Sequence, residues 1–169
     1  MARAQRPARA AVTAAVVVVT SGCGWMGIGG DGVSDPLTPE QAKAQVIDVA
    51  RELVRTVDLP VSDAFFWFAS CNDQEEAPFR GQMRIGYPAA ASFEESDAEI
   101  AQMAQRLLGA GWTPDPEFTS TGTVLARNGV AVVLRQQNVS TPGRNIELFG
   151  ECRDVTTSGN TMPEPVALP

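Results

Sequence analysis

From Pro39 onward, apolar residues recur at helical spacing. Val46, Ala50, Leu53, Val54 and Val57 fall on one face, and Pro60 closes the run. Thr38-Pro39-Glu40-Gln41 just ahead is a capping box with proline at the first helical position. A second stripe, Ile100, Met103, Ala104, Leu107 and Leu108, follows a second box at Ser96-Asp97-Ala98-Glu99. That box predicts a helix starting there, with Gly109 or Gly111 as its left-handed stop. Elsewhere the period is two. Ala64 to Cys71 is apolar on both faces and predicts a central strand covered on both sides. Gly81 to Tyr87 alternates, with Met83, Ile85 and Tyr87 on one face and Gln82 and Arg84 on the other. Thr121 to Arg127 and Val130 to Asn138 flank Asn128-Gly129, a strong hairpin signal. Asn145 to Asp154 places Ile146, Leu148 and Cys152 on one face.

The element order is therefore α-β-β-α-β-β-β. It predicts an α+β fold, a two-layer sandwich with an antiparallel sheet of about five strands and two helices on one face. The globular domain is expected over residues 38–155. The tail, 156–169, contains Ser, Gly, Asn and three prolines and is expected to be disordered.

The amino terminus has a different pattern. Met1 to Arg9 is basic, and Ala10 to Thr20 is an apolar run of eleven residues. A bilayer-spanning helix needs roughly 20 such residues, so this run reads as a secretory signal over 1–22. The glycine-rich residues 23–37 read as a flexible tether. Thr20-Ser21-Gly22-Cys23 resembles a bacterial lipobox, with Ser21, Gly22 and Cys23 in its pattern and Thr20 where an aliphatic residue is usual. The resemblance implies cleavage between Gly22 and Cys23 and a diacylglyceryl group on the Cys23 thiol. Two or three acyl chains hold a small domain on a membrane where one does not, because each buried methylene contributes about 0.8 kcal/mol. Release as a soluble secreted protein is the rival expectation.

Composition narrows the chemistry. Acidic residues number 20 against 13 basic ones, and three of the latter, Arg3, Arg6 and Arg9, lie in the signal. A body this acidic repels phosphate backbones, so no nucleic-acid partner is expected. The 169 residues contain no histidine, which removes the commonest general base and the commonest zinc ligand. Lys43 is the only lysine. No phosphate-binding glycine loop or nucleophile elbow occurs, and no catalytic residue, cofactor or metal is expected. The acidic groups at Glu75-Glu76 and at Glu94, Glu95, Asp97 and Glu99 lack calcium-loop spacing and read as solvated.

With Cys23 set aside, Cys71 and Cys152 form an even pair. Each is in register with positions expected to face inward on its strand. A structural disulfide is the favoured reading over two buried thiols. A redox pair normally shows Cys-x-x-Cys, which is absent. The capped helix, the strand ending in Cys71, Gly109-Ala110-Gly111-Trp112 after the second helix, and Gly150-Glu151-Cys152 together resemble small actinobacterial cell-envelope lipoproteins of the LppA-like kind. That resemblance implies a place at the cell membrane, lipid-anchored on its extracytoplasmic face.

The expected function is that of a non-enzymatic binding or accessory domain. Its partners would be the membrane, through the lipid, and an envelope protein or glycan. A carrier of an apolar ligand and a carboxylate-based hydrolase are the alternatives. By residue type alone, Asn72, Asp73, Gln74, Arg80 and Arg84 would line a polar rim, over an apolar floor of Trp67, Tyr87 and Trp112.

Overall fold

The computed structural model describes residues 32–72, 74–140 and 143–169. The expected signal (1–22), Cys23 and Asp73 lie outside the described residues.

Helix α1 spans Pro39–Val57. Thr38 Oγ1 accepts the Gln41 N–H at 3.2 Å, and Gln41 Oε1 accepts the Thr38 N–H at 2.9 Å, so two otherwise orphaned backbone donors are satisfied reciprocally. The helix stops at Asp58, which adopts the left-handed conformation. Helix α2 spans Phe93–Gly109 and starts a turn earlier than Ser96 predicts. The cap is Ser92, whose Oγ accepts the Glu95 N–H at 3.0 Å. Ser96 plays a different part, being fully buried with its Oγ accepting the Gln137 N–H at 2.9 Å. The stop is Gly111 at φ +87°.

The strands are β1 (Asp63–Ser70), β2 (Phe79–Tyr87), β3 (Thr113–Pro114), β4 (Thr123–Arg127), β5 (Val130–Leu134), β6 (Arg144–Phe149) and β7 (Glu164–Pro165). They form one antiparallel sheet in the order β3-β4-β5-β6-β2-β1-β7. Asn128 and Gly129 join β4 to β5 with φ +50° and +76°, the type I′ hairpin pattern. Both helices cover one face. Their stripes meet Ala64, Phe66, Met83, Ile85, Leu125, Val132, Ile146 and Leu148 in a single apolar core. At Gly81 a Cβ would lie 2.9 Å from the Ala42 carbonyl oxygen, so the absent side chain is what lets α1 lie so close to β2.

Four expectations are corrected. The sheet has seven strands rather than about five, because β3 and β7 are two-residue pairings set by tertiary contact. Strand β1 is not central. It lies next to the edge, and its outer residues Phe65 and Trp67 are half-buried. Residues 23–37 are not a free tether throughout: the Leu37 N–H donates to the Arg153 carbonyl at 2.8 Å, and the Asp35 carbonyl accepts from Arg153 Nε at 2.8 Å. The tail 156–169 is ordered rather than loose. Asn160 Oδ1 and Thr161 Oγ1 accept the Ser70 and Phe68 N–H groups, each at 2.8 Å. Val166 donates its N–H to the Ala64 carbonyl at 2.9 Å, and Val166 and Leu168 pack on the core. A proline-containing strand is tolerated there because it sits at the sheet edge.

Removing residues 159–169 is therefore expected to cost about 3 kcal/mol, from the lost packing of two aliphatic side chains and the edge donors and acceptors left unpaired. Urea unfolding checks this, and a change below about 0.5 kcal/mol would mean that the tail is dispensable.

Candidate functional site

A cleft of about 250 Å3 opens at one end of the sandwich, where the end of α1, the middle of α2, the end of β2 and the start of β6 converge. Arg144 opens β6 opposite Tyr87 and shares the inward parity of Ile146 and Leu148. An arginine on that parity is driven beneath α2, and only 4% of Arg144 is exposed. Its guanidinium carbon lies 4.4 Å from the Tyr87 ring centroid, a distance at which cation and π face attract. Nη1 is ion-paired with Glu99 and lies 3.5 Å from the Pro88 carbonyl oxygen. Nε and Nη2 of Arg144 and the Tyr87 hydroxyl are buried without a hydrogen-bond partner. Burial raises the Tyr87 pKa; the charge of Arg144 and a side-chain contact of its guanidinium with the hydroxyl oppose the shift without cancelling it, and Glu99 adds to it. The hydroxyl is therefore a donor at neutral pH.

Leu59, Pro60 and Met103 give the same cleft an apolar side. Arg106 lines it as well and donates to the Val57 carbonyl at 3.1 Å, holding the last turn of α1 to α2. The cleft thus combines apolar walls with unsatisfied donors, the usual make-up of a small-molecule site.

The outer sheet face holds a second hollow of about 240 Å3, formed by Phe65, Trp67, Arg84 and Pro163. Arg84 lies 5.7 Å over the Phe65 ring and 3.7 Å from an Asp63 carboxylate oxygen. Farther along the same face, Arg80 stacks 5.0 Å over Phe149 and 5.9 Å from Phe118, and its burial lowers its pKa.

The rim and floor grouped by residue type therefore separate. Trp67 and Arg84 meet, Tyr87 belongs to the cleft at the other end, and Trp112 is buried in the core. Asn72 organises its own loop, accepting the Gln74 N–H at 3.0 Å. Arg144 had no place in that grouping, and Glu99, read as a solvated acid, is its ion-pair partner.

Cys71 and Cys152 are joined in a disulfide with a Cα–Cα distance of 6.0 Å. Neither cysteine lies within its strand, and Cys71 is not in step with the inward positions of β1. The positions in step with Cys71, Phe65 and Trp67, face outward, and the bond forms just beyond the end of each strand. Because β2 lies between β1 and β6, the bond straddles the start of β2.

A family model described as "Putative lipoprotein LppJ" matches residues 38–168. Proteins of that description from two strains of Mycobacterium tuberculosis and one of Mycobacterium bovis are each 34% identical over 128 residues. The match covers 75% of this chain and 66% of each relative, so the chain spans just under two thirds of their length. No solved structure matches significantly. The chain belongs to the LppJ lipoprotein family.

Proposed function

We propose that the protein is held on the extracytoplasmic face of the cell membrane by lipid on Cys23, and that it works there as a non-enzymatic binding domain. Its ligand sits in the cleft around Arg144. Membership of a lipoprotein family and the lipobox-like Thr20-Ser21-Gly22-Cys23 support the anchor. Among the described residues no helix is long and apolar enough to cross a membrane. The observation that carries the binding role is the set of buried, unpartnered donors on Arg144 and Tyr87 at the wall of an open cleft. Such groups cost roughly 1–3 kcal/mol each when left unsatisfied, a cost that a ligand removes by accepting from them.

The carrier reading is narrowed by size. Drug-sized ligands occupy pockets of roughly 300–1,000 Å3, and a cleft of about 250 Å3 does not enclose a two-chain lipid.

Replacing Cys23 by alanine tests the anchor. In the native host, the wild-type chain is expected in the membrane fraction and Cys23→Ala in the soluble fraction or the medium. The same distribution for both would remove the lipid from the proposal.

A further inference from the structure

We infer that the Arg144 cleft takes a small monocarboxylate with an apolar body. The inference rests on the proposed binding role of that cleft and names the chemistry it selects. A guanidinium presents two forked edges, and Glu99 engages Nη1 only. The other edge, Nε with Nη2, has no partner, and this is the pair that a planar carboxylate accepts from side-on with both oxygens. The Tyr87 hydroxyl lies beside the same guanidinium and has its own hydrogen left to donate.

Charge sets the valence. Arg144 and Arg106 are balanced by Glu99 and Asp58 around the cleft, so a ligand with one negative charge adds less repulsion than one with two. Leu59, Pro60 and Met103 supply the wall against which a short apolar body packs. Nε, Nη2 and the Tyr87 hydroxyl are shielded from water, so a bound carboxylate requires the lining of the cleft, of which Pro88 and Ala89 are part, to yield.

The test uses the full lipidated chain in nanodiscs, titrated calorimetrically with hexanoate, hexanamide, hexylamine and hexyl phosphate against empty nanodiscs. Saturable binding is expected for hexanoate, at least tenfold tighter than for hexanamide or hexyl phosphate, and none for hexylamine. Arg144→Lys keeps the charge and removes the fork, and is expected to weaken hexanoate at least tenfold. Tyr87→Phe is expected to weaken it about threefold, and Arg51→Gln, on the exposed face of α1, to leave it unchanged. Melting curves establish that each variant is folded, and Tyr87→Phe carries the test if Arg144→Lys is not.

Hexanamide or hexyl phosphate binding as well as hexanoate would overturn the carboxylate assignment while keeping the cleft as a site. Equal hexanoate affinity in wild type, Arg144→Lys and Tyr87→Phe would overturn the role of the fork. No binding by any of the four probes would overturn both the inference and the cleft as the binding site.

Discussion

Replacing Cys71 and Cys152 together by alanine is expected to lower the free energy of unfolding by about 4 kcal/mol. The two residues are 81 apart in sequence. In the chain-entropy model, releasing a loop of that length gives the unfolded chain a large gain in freedom that the folded state does not share. The position of the bond adds a local effect. It links the ends of β1 and β6 across β2, where Phe79 exchanges two backbone hydrogen bonds with Asp154 and Cys71 donates its N–H to Pro78. Without the bond, the edge pair β1–β7 is expected to loosen first, because β1 is otherwise held to the sheet mainly by β2. Urea unfolding of the wild type with and without reductant, beside the double variant, measures the effect. A loss below about 1 kcal/mol would mean that the reduced chain retains the constraint by packing alone.

The second large effect is expected at Asp154, which is completely buried and bridges to Leu37 on one side and to Phe79 at the start of β2 on the other. One carboxylate oxygen accepts the Thr156 N–H at 2.8 Å, the Thr156 hydroxyl at 2.9 Å and the Thr157 N–H at 3.1 Å. The other accepts the Thr157 hydroxyl. Burial by itself raises the pKa of this carboxyl. The hydrogen bonds from Thr157 and Thr156 outweigh it and hold the pKa below the ordinary value. Asp154→Ala leaves these donors without an acceptor and is expected to cost about 4 kcal/mol at neutral pH.

The sign of the pH dependence follows from the lowered pKa. The stabilising contribution is fully present above the carboxyl's unfolded pKa of roughly 4 and fades as pH falls through its folded value. The stability gap between wild type and Asp154→Asn should therefore be constant from neutral pH down to about 5 and shrink below about 4. A gap that widens on acidification would contradict the hydrogen-bonded carboxylate.

How much of this was readable along the chain depends on the range of the forces involved. Helix α1 was legible because Thr38, Pro39 and Gln41 act within one turn and its apolar stripe is unbroken. The Asn128-Gly129 hairpin was legible for the same reason, since only residues tolerant of positive φ fit both turn positions. The start of α2 was misread because Ser92 and Ser96 offer the same local signal. The distant Gln137 N–H claims Ser96 and leaves the cap to Ser92. Strand β7 left no trace, since its two residues become a strand only against the free edge of β1.

The cleft was half legible. Tyr87 was visible at the end of the Met83–Ile85 face, and the alternation Arg144, Ile146, Leu148 places an arginine on the apolar side of its strand. An arginine at such a position needs a partner, and that was the available signal. Glu99, 45 residues away, is the partner the fold supplies.

The most direct measurement is the intact mass of the protein purified from native membranes in mild detergent, recorded before and after denaturation. A chain beginning at Cys23, heavier by its acyl groups and lighter by the two hydrogens of one disulfide, is expected. It should carry a small additional mass that leaves on denaturation and is absent from Arg144→Lys. A chain recovered without lipid, or with no releasable mass at any stage, would contradict an anchored domain that binds through the Arg144 cleft.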